Sequence, residues 1–448
     1  MKTNRFIIGI LLCGIFHFSV PAQARVAVIR GPYLQLPTPT SMTVRWRTDI
    51  AEGSRVRYGR SPSQLDKTAS GAGLLSEHIV TLDNLEPATE YFFQVGNGID
   101  DPPDPTGSDA TPGSGINQFR TPPAGGSNSS LRIWVLGDVG KKNETQRNVR
   151  DSYLRATGSA RTDFVLLLGD NAYLQATDTD YQRAVFDVYD STFRNTPVWS
   201  VFGNHDAYSA TSTTQSGVYY DVFTFPTLGQ CGGVPSGTEA YYSFDWGNTH
   251  FVCLDSQGTD RSADGAMVTW LKADLAANQR QWIIAAFHHP PYSKGTHDSD
   301  DEKDSGGRMR DMRETVLPVL EAGGVDVVLT GHSHVYERTY LLDGHYGKSR
   351  TFDPAVHIKQ PGNGRPDGGG VYRKPSGNPA HRGEPVVVMG CSGKAGTDGK
   401  SPSLDHPAMV MGVVEPGSGV LEINGNELKF TFLRDTGVQR DGFTIVKN

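Results

Sequence analysis

Five short segments of this sequence carry carboxylate, amide and imidazole side chains, most of them beside glycine. They are Gly137-Asp138-Val139-Gly140, Gly169-Asp170-Asn171-Ala172-Tyr173, Gly203-Asn204-His205-Asp206, His288-His289-Pro290 and Gly331-His332-Ser333-His334. Oxygen and imidazole donors of this kind suit Fe, Zn or Mn, whereas a thiolate-rich set would point to structural zinc. Glycine next to a loop ligand lets the backbone turn sharply beside a cation. One Gly-Asp pair is more often a turn than a site, and one His at a strand end is usually structural. Five such signals in chain order make coincidence an inadequate account.

The elements that must position these residues are legible around them. Short apolar runs at Leu131–Leu136, Phe164–Leu168, Val198–Phe202, Phe251–Leu254, Trp282–Phe287 and Val325–Leu329 alternate with helix-length amphipathic segments. Those segments lie near Thr145–Ala156, Tyr181–Phe193, Ala266–Ala276 and Arg308–Glu321. The alternation predicts an α/β layered domain. Each candidate segment follows a predicted strand, so the ligands are expected at carboxyl ends that gather on one edge of the sheet. Gly344–Glu384 is polar and Gly-rich and is expected as a long loop; Val386–Met389 returns as a buried strand. Leu421–Ile423 and Leu428–Phe432 flank Asn424-Gly425 and predict a hairpin.

The stretch from Val26 to Thr121 reads differently. Met42, Val44 and Trp46 alternate with Thr43, Arg45 and Arg47, the period-2 pattern of a half-buried strand. Val56 with Tyr58, Ile79 with Leu82, and Tyr91 with Phe93 and Val95 extend the pattern. Leu85-Glu86-Pro87-Ala88-Thr89-Glu90-Tyr91 resembles the tyrosine corner of fibronectin type III sandwiches. A Pro/Gly/Ser linker, residues 122–130, separates this all-β region from the layered one.

Whole-chain properties agree with two domains. The 448 residues exceed one compact unit, and 37% hydrophobic with 20% charged residues is ordinary for a soluble globular chain. Lys2 and Arg5, an apolar stretch from Phe6 to Val20 and the small residues Ala22 and Ala24 read as an export leader cleaved after Ala24. The apolar run is shorter than the roughly 20 residues a spanning helix needs. The expected mature protein is therefore secreted or periplasmic and has no membrane anchor. Losing the cations Lys2 and Arg5 takes the formal net charge from −7 to −9, which argues against nucleic-acid or anionic-membrane binding. With Cys13 in the leader, Cys231, Cys253 and Cys391 remain, either as one Cys231–Cys253 bridge and a thiol or as three buried thiols.

The ordered set GDVG, GDNAY, GNHD, HHP and GHSH, spanning Asp138 to His334, resembles the purple acid phosphatases of the calcineurin-like metallophosphoesterase superfamily. Gly31-Pro32-Tyr33 and the sandwich-like leader region resemble the small domain that precedes some of these phosphatases. The resemblance implies a ββ-sandwich flanked by helices with a dinuclear centre at its edge. It implies that Asp138, Asp170, Tyr173 and His334 hold Fe(III), with Asp170 bridging to a divalent Fe, Zn or Mn that Asn204, His288 and His332 complete. The family's His-x-Pro pattern puts the ligand at His288 and leaves His289 either turned away or lining the pocket. His205 falls where the family places a phosphate-contacting proton donor, and His297 where relatives carry a substrate-binding histidine. Asp298 stands where several plant enzymes have a further histidine. His250, Tyr336, Glu337 and Arg338 read as structural support. The implied activity is acid-phosphatase-like hydrolysis of small phosphate monoesters by a metal-bound hydroxide, with no protein nucleophile. A phosphodiesterase or nucleotidase on the same scaffold, or a non-catalytic surface-binding protein built on the fibronectin-like domain, are the alternatives.

Overall fold

The computed structural model describes Met1 and residues 26–96, 115–397 and 401–448. The expected leader, with Lys2, Arg5 and Cys13, lies outside the described residues. No described helix is long and apolar enough to cross a membrane.

The N-terminal strands are β1 (Val28–Thr38), β2 (Ser41–Gly59), β3 (Lys67–Leu82), β4 (Glu90–Gly96) and β5 (Asn117–Arg120). They pair antiparallel in the order β1-β2-β4-β5, with β3 also on β2. Met42, Val44, Trp46, Val56, Tyr91 and Phe93 fill the core between them. The Tyr91 hydroxyl accepts from the Glu86 amide at 3.0 Å, which closes the expected tyrosine corner. On β3 the core residues are Val80 and Leu82, and Ile79 faces outward, about half exposed. A two-residue period cannot place both Ile79 and Leu82 on one face, so the pairing read from sequence is corrected to Val80 with Leu82.

The polar face of β1 and β2 is not solvated. Arg30 and Arg45 are buried, and with Arg47 they reach across to the following domain. Arg30 Nη2 and Arg47 Nη1 meet Asp178 at 2.8 and 2.6 Å, and Arg45 Nη1 donates to Thr224 Oγ1 at 2.7 Å. Tyr33 packs at a tilt against Phe186 with ring centroids 4.8 Å apart and donates to the Val222 carbonyl at 2.8 Å. The alternation was correct; what covers the polar side is protein.

The second domain continues with β6 (Leu131–Leu136), β7 (Phe164–Leu167), β8 (Val198–Ser200), β9 (Ala210–Thr211), β10 (Ser216–Gly217), β11 (Tyr242–Trp246), β12 (Thr249–Cys253), β13 (Trp282–Ala286) and β14 (Val327–Thr330). The remainder are β15 (Tyr336–Thr339), β16 (Tyr372–Lys374), β17 (Val386–Met389), β18 (Met409–Val413), β19 (Gly417–Asn424), β20 (Glu427–Arg434) and β21 (Gln439–Lys447). Two seven-stranded sheets result, ordered β11-β12-β13-β14-β17-β15-β18 and β16-β21-β20-β19-β6-β7-β8. Their inner faces share one core that includes Ile133, Val135, Leu166, Ile284, Leu329 and Val387. On β13 the alternate residues Ile283 and Ala285 belong instead to an outer cluster with Val268, Leu271 and Leu320 of the covering helices. Burial on both faces explains why the strands read as unbroken apolar runs.

Strands β6, β7 and β8 are mutually parallel, as are β12, β13, β14 and β17. The candidate ligands therefore come from two facing sheets; the single sheet edge expected from the α/β alternation is corrected. The long loop is corrected too: within Gly344–Glu384, Tyr372–Lys374 forms β16, which pairs in parallel with β21 and widens the second sheet. The hairpin turn is Gly425-Asn426, since Asn424 already pairs with Glu427. Cys231, Cys253 and Cys391 are free and buried. The Cys231 carbonyl accepts from Asp245, whereas Cys253 pairs with Tyr242. Three residues of strand separate those anchors by roughly 10 Å. A disulfide needs Cα atoms within about 7 Å, so the two thiols stay apart.

Candidate metal centre

Asp138 follows β6, Asp170 follows β7, Asn204 follows β8, His288 follows β13 and His332 follows β14. The parallel strands deliver all five to one end of the sandwich. The backbone there is strained: Asp138, Asp170 and His332 have left-handed φ of 55°, 50° and 67°. That conformation costs a residue with a Cβ on the order of 1 kcal/mol or more and collects at functional sites. Gly169 has φ of +85°, and a Cβ there would stand 2.6 Å from His288 Nδ1. Turn geometry and close approach both demand glycine at that position.

Two donor clusters result. In the first, Tyr173 Oη lies 2.9 Å from Asp138 Oδ1, 3.0 Å from Asp170 Oδ2 and 3.1 Å from His334 Nε2. The phenol's one proton cannot serve both carboxylates. Burial, reinforced by Asp138 and Asp170, pushes its pKa well above the ordinary tyrosine value. In the second, His288 Nε2 lies 3.0 Å from Asn204 Oδ1, 3.2 Å from His332 Nδ1 and 3.4 Å from Asp170 Oδ1. His288 Nδ1 donates to the Leu168 carbonyl at 2.8 Å, which leaves Nε2 its lone pair. Ser305 Oγ donates to Asp304 at 2.8 Å and accepts from His332 Nε2 at 2.6 Å, so His332 Nδ1 also presents a lone pair.

This arrangement is unfavourable unless something positive lies between the acceptors. Burial lowers the His288 pKa, but Asp170 and Asp138 outweigh it and raise the value, so the gap attracts positive charge. Burial and the surrounding imidazoles hold His332 well below the usual histidine range, in the neutral form that ligates metals. Donors about 2.0–2.2 Å from one cation, on bonds at right angles, stand roughly 3 Å apart. Both clusters have that spacing, and Asp170 belongs to each. The residues present fit two metal ions.

The flanking histidines are oriented by fixed partners. His205 Nδ1 bonds the Leu174 carbonyl at 2.9 Å, its ring packs 4.2 Å from that of Tyr173, and Nε2 lies 3.9 Å from Asp170 Oδ2. His297 Nδ1 bonds Asp304 at 2.8 Å, and its ring stacks on His332 at 3.9 Å. His289 bonds Ser256 Oγ at 2.9 Å and lines the pocket, the second of its two expected placements. His250 is remote from the centre, held between Asp245 and Asp274 at 2.7 and 2.8 Å. Arg338 and Tyr336 grip Asp441 of β21, and Glu337 accepts from Ser293 Oγ and the Lys294 amide.

Some contributors had escaped assignment. Asp206 accepts from the Gly203 and Asn171 amides at 2.9 and 3.1 Å and from Tyr181 Oη at 2.5 Å, joining the loops after β7 and β8. Burial and nearby Asp170 raise its pKa to about 7. Its only signal was membership of the Gly203–Asp206 segment. Lys141 Nζ stands 3.1 Å above the Tyr173 ring. Ser305 comes from a polar stretch with no pattern to mark it, and Arg308 opens the predicted helix Arg308–Glu321, where nothing in its spacing marks a site residue. A pocket of about 360 Å³ opens beside Asn204 and His332, bounded also by Tyr208, His289, His297 and Arg308.

Comparison with known proteins agrees with this geometry. The family model for calcineurin-like phosphoesterases matches residues 131–336, and that for the purple acid phosphatase N-terminal domain matches residues 29–121. Purple acid phosphatase 18 of Arabidopsis thaliana is 28% identical over 378 residues, 80% of this chain and 75% of that protein. Human acid phosphatase type 7 is 26% identical over 368 residues, 74% of this chain and 76% of that protein. A purple acid phosphatase from yellow lupin (Lupinus luteus) seeds superposes with a TM-score of 0.67 at 17% identity, covering 94% of this chain and 75% of that one. The chain belongs to the calcineurin-like metallophosphoesterases as a purple acid phosphatase-like member, a metal-dependent phosphoric ester hydrolase with a purple acid phosphatase N-terminal domain.

Proposed function

We propose that this enzyme is an exported acid phosphatase that hydrolyses small phosphate monoesters at two metal ions sharing Asp170. Asp138, Tyr173 and His334 with Asp170 hold Fe(III); Asn204, His288 and His332 with Asp170 hold divalent Fe, Zn or Mn. The supporting observation is the pair of clusters, each crowding carboxylate, phenol, amide or imidazole atoms roughly 3 Å apart as a shared cation requires, that converge on one carboxylate. A hard anionic phenolate in the first favours the ferric state, and neutral amide and imidazole donors in the second suit a divalent ion.

Bound metals supply Lewis acidity toward the phosphoryl oxygens and toward water. The chain's own groups do the rest. His205, fixed through Nδ1, turns Nε2 toward the site, where its protonated form can donate to a phosphoryl oxygen or the departing alkoxide. His297, fixed by Asp304, lines the pocket where a substrate would sit. This reading divides the chain into a leader 1–24, a fibronectin-like domain 25–121, a linker 122–130 and a catalytic domain 131–448.

Metal analysis with a visible spectrum, followed by a mono- and diester panel across pH, tests it. Iron, a tyrosinate charge-transfer band lost in Tyr173→Phe, and faster monoester turnover are expected. A colourless, fully metallated and active enzyme would remove Tyr173 from the ligand set. Faster diester turnover would replace the phosphatase assignment. Exported protein beginning at Arg25 checks the leader.

A further inference from the structure

Arg308, which lines the same pocket as Asn204 and His332, has an unusual set of partners. Its Nε donates to the Gln257 carbonyl at 3.0 Å and its Nη1 to the Ser305 carbonyl at 2.7 Å. Both acceptors are neutral. Its neighbours are compensated: Arg261 and Arg310 both pair with Asp311, at 3.3 and 2.8 Å. Among the described residues no carboxylate pairs with Arg308. Burial and the adjacent Arg261 pull its pKa down by more than the nearby Asp255 and Asp311 raise it. Two carbonyl bonds fix the guanidinium plane and leave Nη2 for a ligand, and a fixed planar fork suits carboxylate and phosphate oxygens.

The pocket's volume of about 360 Å³ leaves room beyond the phosphoryl group, since ligand pockets begin near that size. Tyr208 on its rim is 62% exposed and does not close it. An anion held at Arg308 would share one pocket with the donors that face Asn204 and His332.

We infer that Arg308 binds a second anionic group of the substrate, so that the favoured phosphate esters carry a carboxylate or a further phosphate near the scissile one. This rests on the phosphatase reading above, which turnover of glycerol 2-phosphate by the wild-type enzyme tests separately. Absence of turnover of this ester and of both its anionic analogues, 2-phosphoglycerate and glycerol 1,2-bisphosphate, overturns both.

The decisive comparison is kcat/KM for glycerol 2-phosphate against 2-phosphoglycerate, which adds a carboxylate, and glycerol 1,2-bisphosphate, which adds a phosphate. The holoenzyme should favour at least one anionic partner by about tenfold or more, the scale of a charge-assisted hydrogen bond. The advantage should shrink as ionic strength rises. Whichever partner is favoured identifies the second group. Arg308→Gln should bring the ratio close to one, and Arg308→Lys should retain part of it. No preference in the wild-type enzyme, or an unchanged ratio in Arg308→Gln whatever its overall rate, overturns the assignment.

Discussion

Asp170 is the side chain that both donor clusters share, through Oδ2 to Tyr173 and Oδ1 toward His288, and Oδ1 also accepts from the His205 amide at 2.7 Å. An amide in its place keeps the size but removes the negative charge and turns one donor atom into an NH₂ group. Asp170→Asn should therefore lose metal from both positions and reduce phosphate release by at least about a thousandfold, since two-metal catalysis depends on both ions. Elemental analysis beside a phosphate assay checks this; near-normal metal content with near-normal turnover would sink the shared-ligand assignment. Residues of this kind were legible because ligand chemistry restricts side-chain type and the strand ends restrict position. Asp206, Ser305 and Arg308 were not. Their contributions lie in hydrogen bonds to partners 25 to 51 residues distant or to backbone groups, which leave no local spacing to read.

At the scale of elements, the antiparallel pair β11–β12 is clipped by a buried charge arrangement. His250 on β12 lies between Asp245 on β11 and Asp274 of the covering helix. Burial opposes its charge, but the bonds to Asp245 and Asp274 outweigh it and raise the pKa from 6.5 to about 9. Because the folded value exceeds the unfolded one, the stabilisation is complete below pH 6.5 and is lost as pH rises through about 9. The shift corresponds to roughly 3 kcal/mol at most. Asp245 acts in the opposite sense: burial raises its pKa, yet His250 and Arg280 hold it below the usual range, so its share disappears only in acid. Urea unfolding at pH 6 and pH 9.5 should show wild-type protein losing about 2–3 kcal/mol more than His250→Gln. Equal losses would place the pH sensitivity elsewhere. Strands such as β13 and helices such as Ala266–Ala277 were visible in the sequence because burial imposed a pattern on them. β16 was not, having three residues at a sheet edge where only Tyr372 and Lys374 are buried.

For the whole molecule, the question is what couples the N-terminal sandwich to the catalytic domain. Arg30 is the most constrained link, its side chain wholly buried against Phe186 and bonded to Asp178 and Gln182. Asp178 also binds Arg47 and is itself 46% exposed, so solvent screens the pair and reduces what it contributes. Removing Asp178 alone would still leave a buried guanidinium poorly matched, which costs more than the pair contributes when intact. A double-mutant cycle separates the two. Asp178→Ala should destabilise the protein by about 2 kcal/mol, whereas adding it to Arg30→Met should cost little more, giving a coupling energy of roughly 1–2 kcal/mol. Calorimetry of the four proteins reads both numbers and also shows whether the single transition splits as the sandwich unfolds ahead of its neighbour. Additive losses in a single transition would mean that the apolar contact of Tyr33 with Phe186, and not the charge at Asp178, holds the domains together.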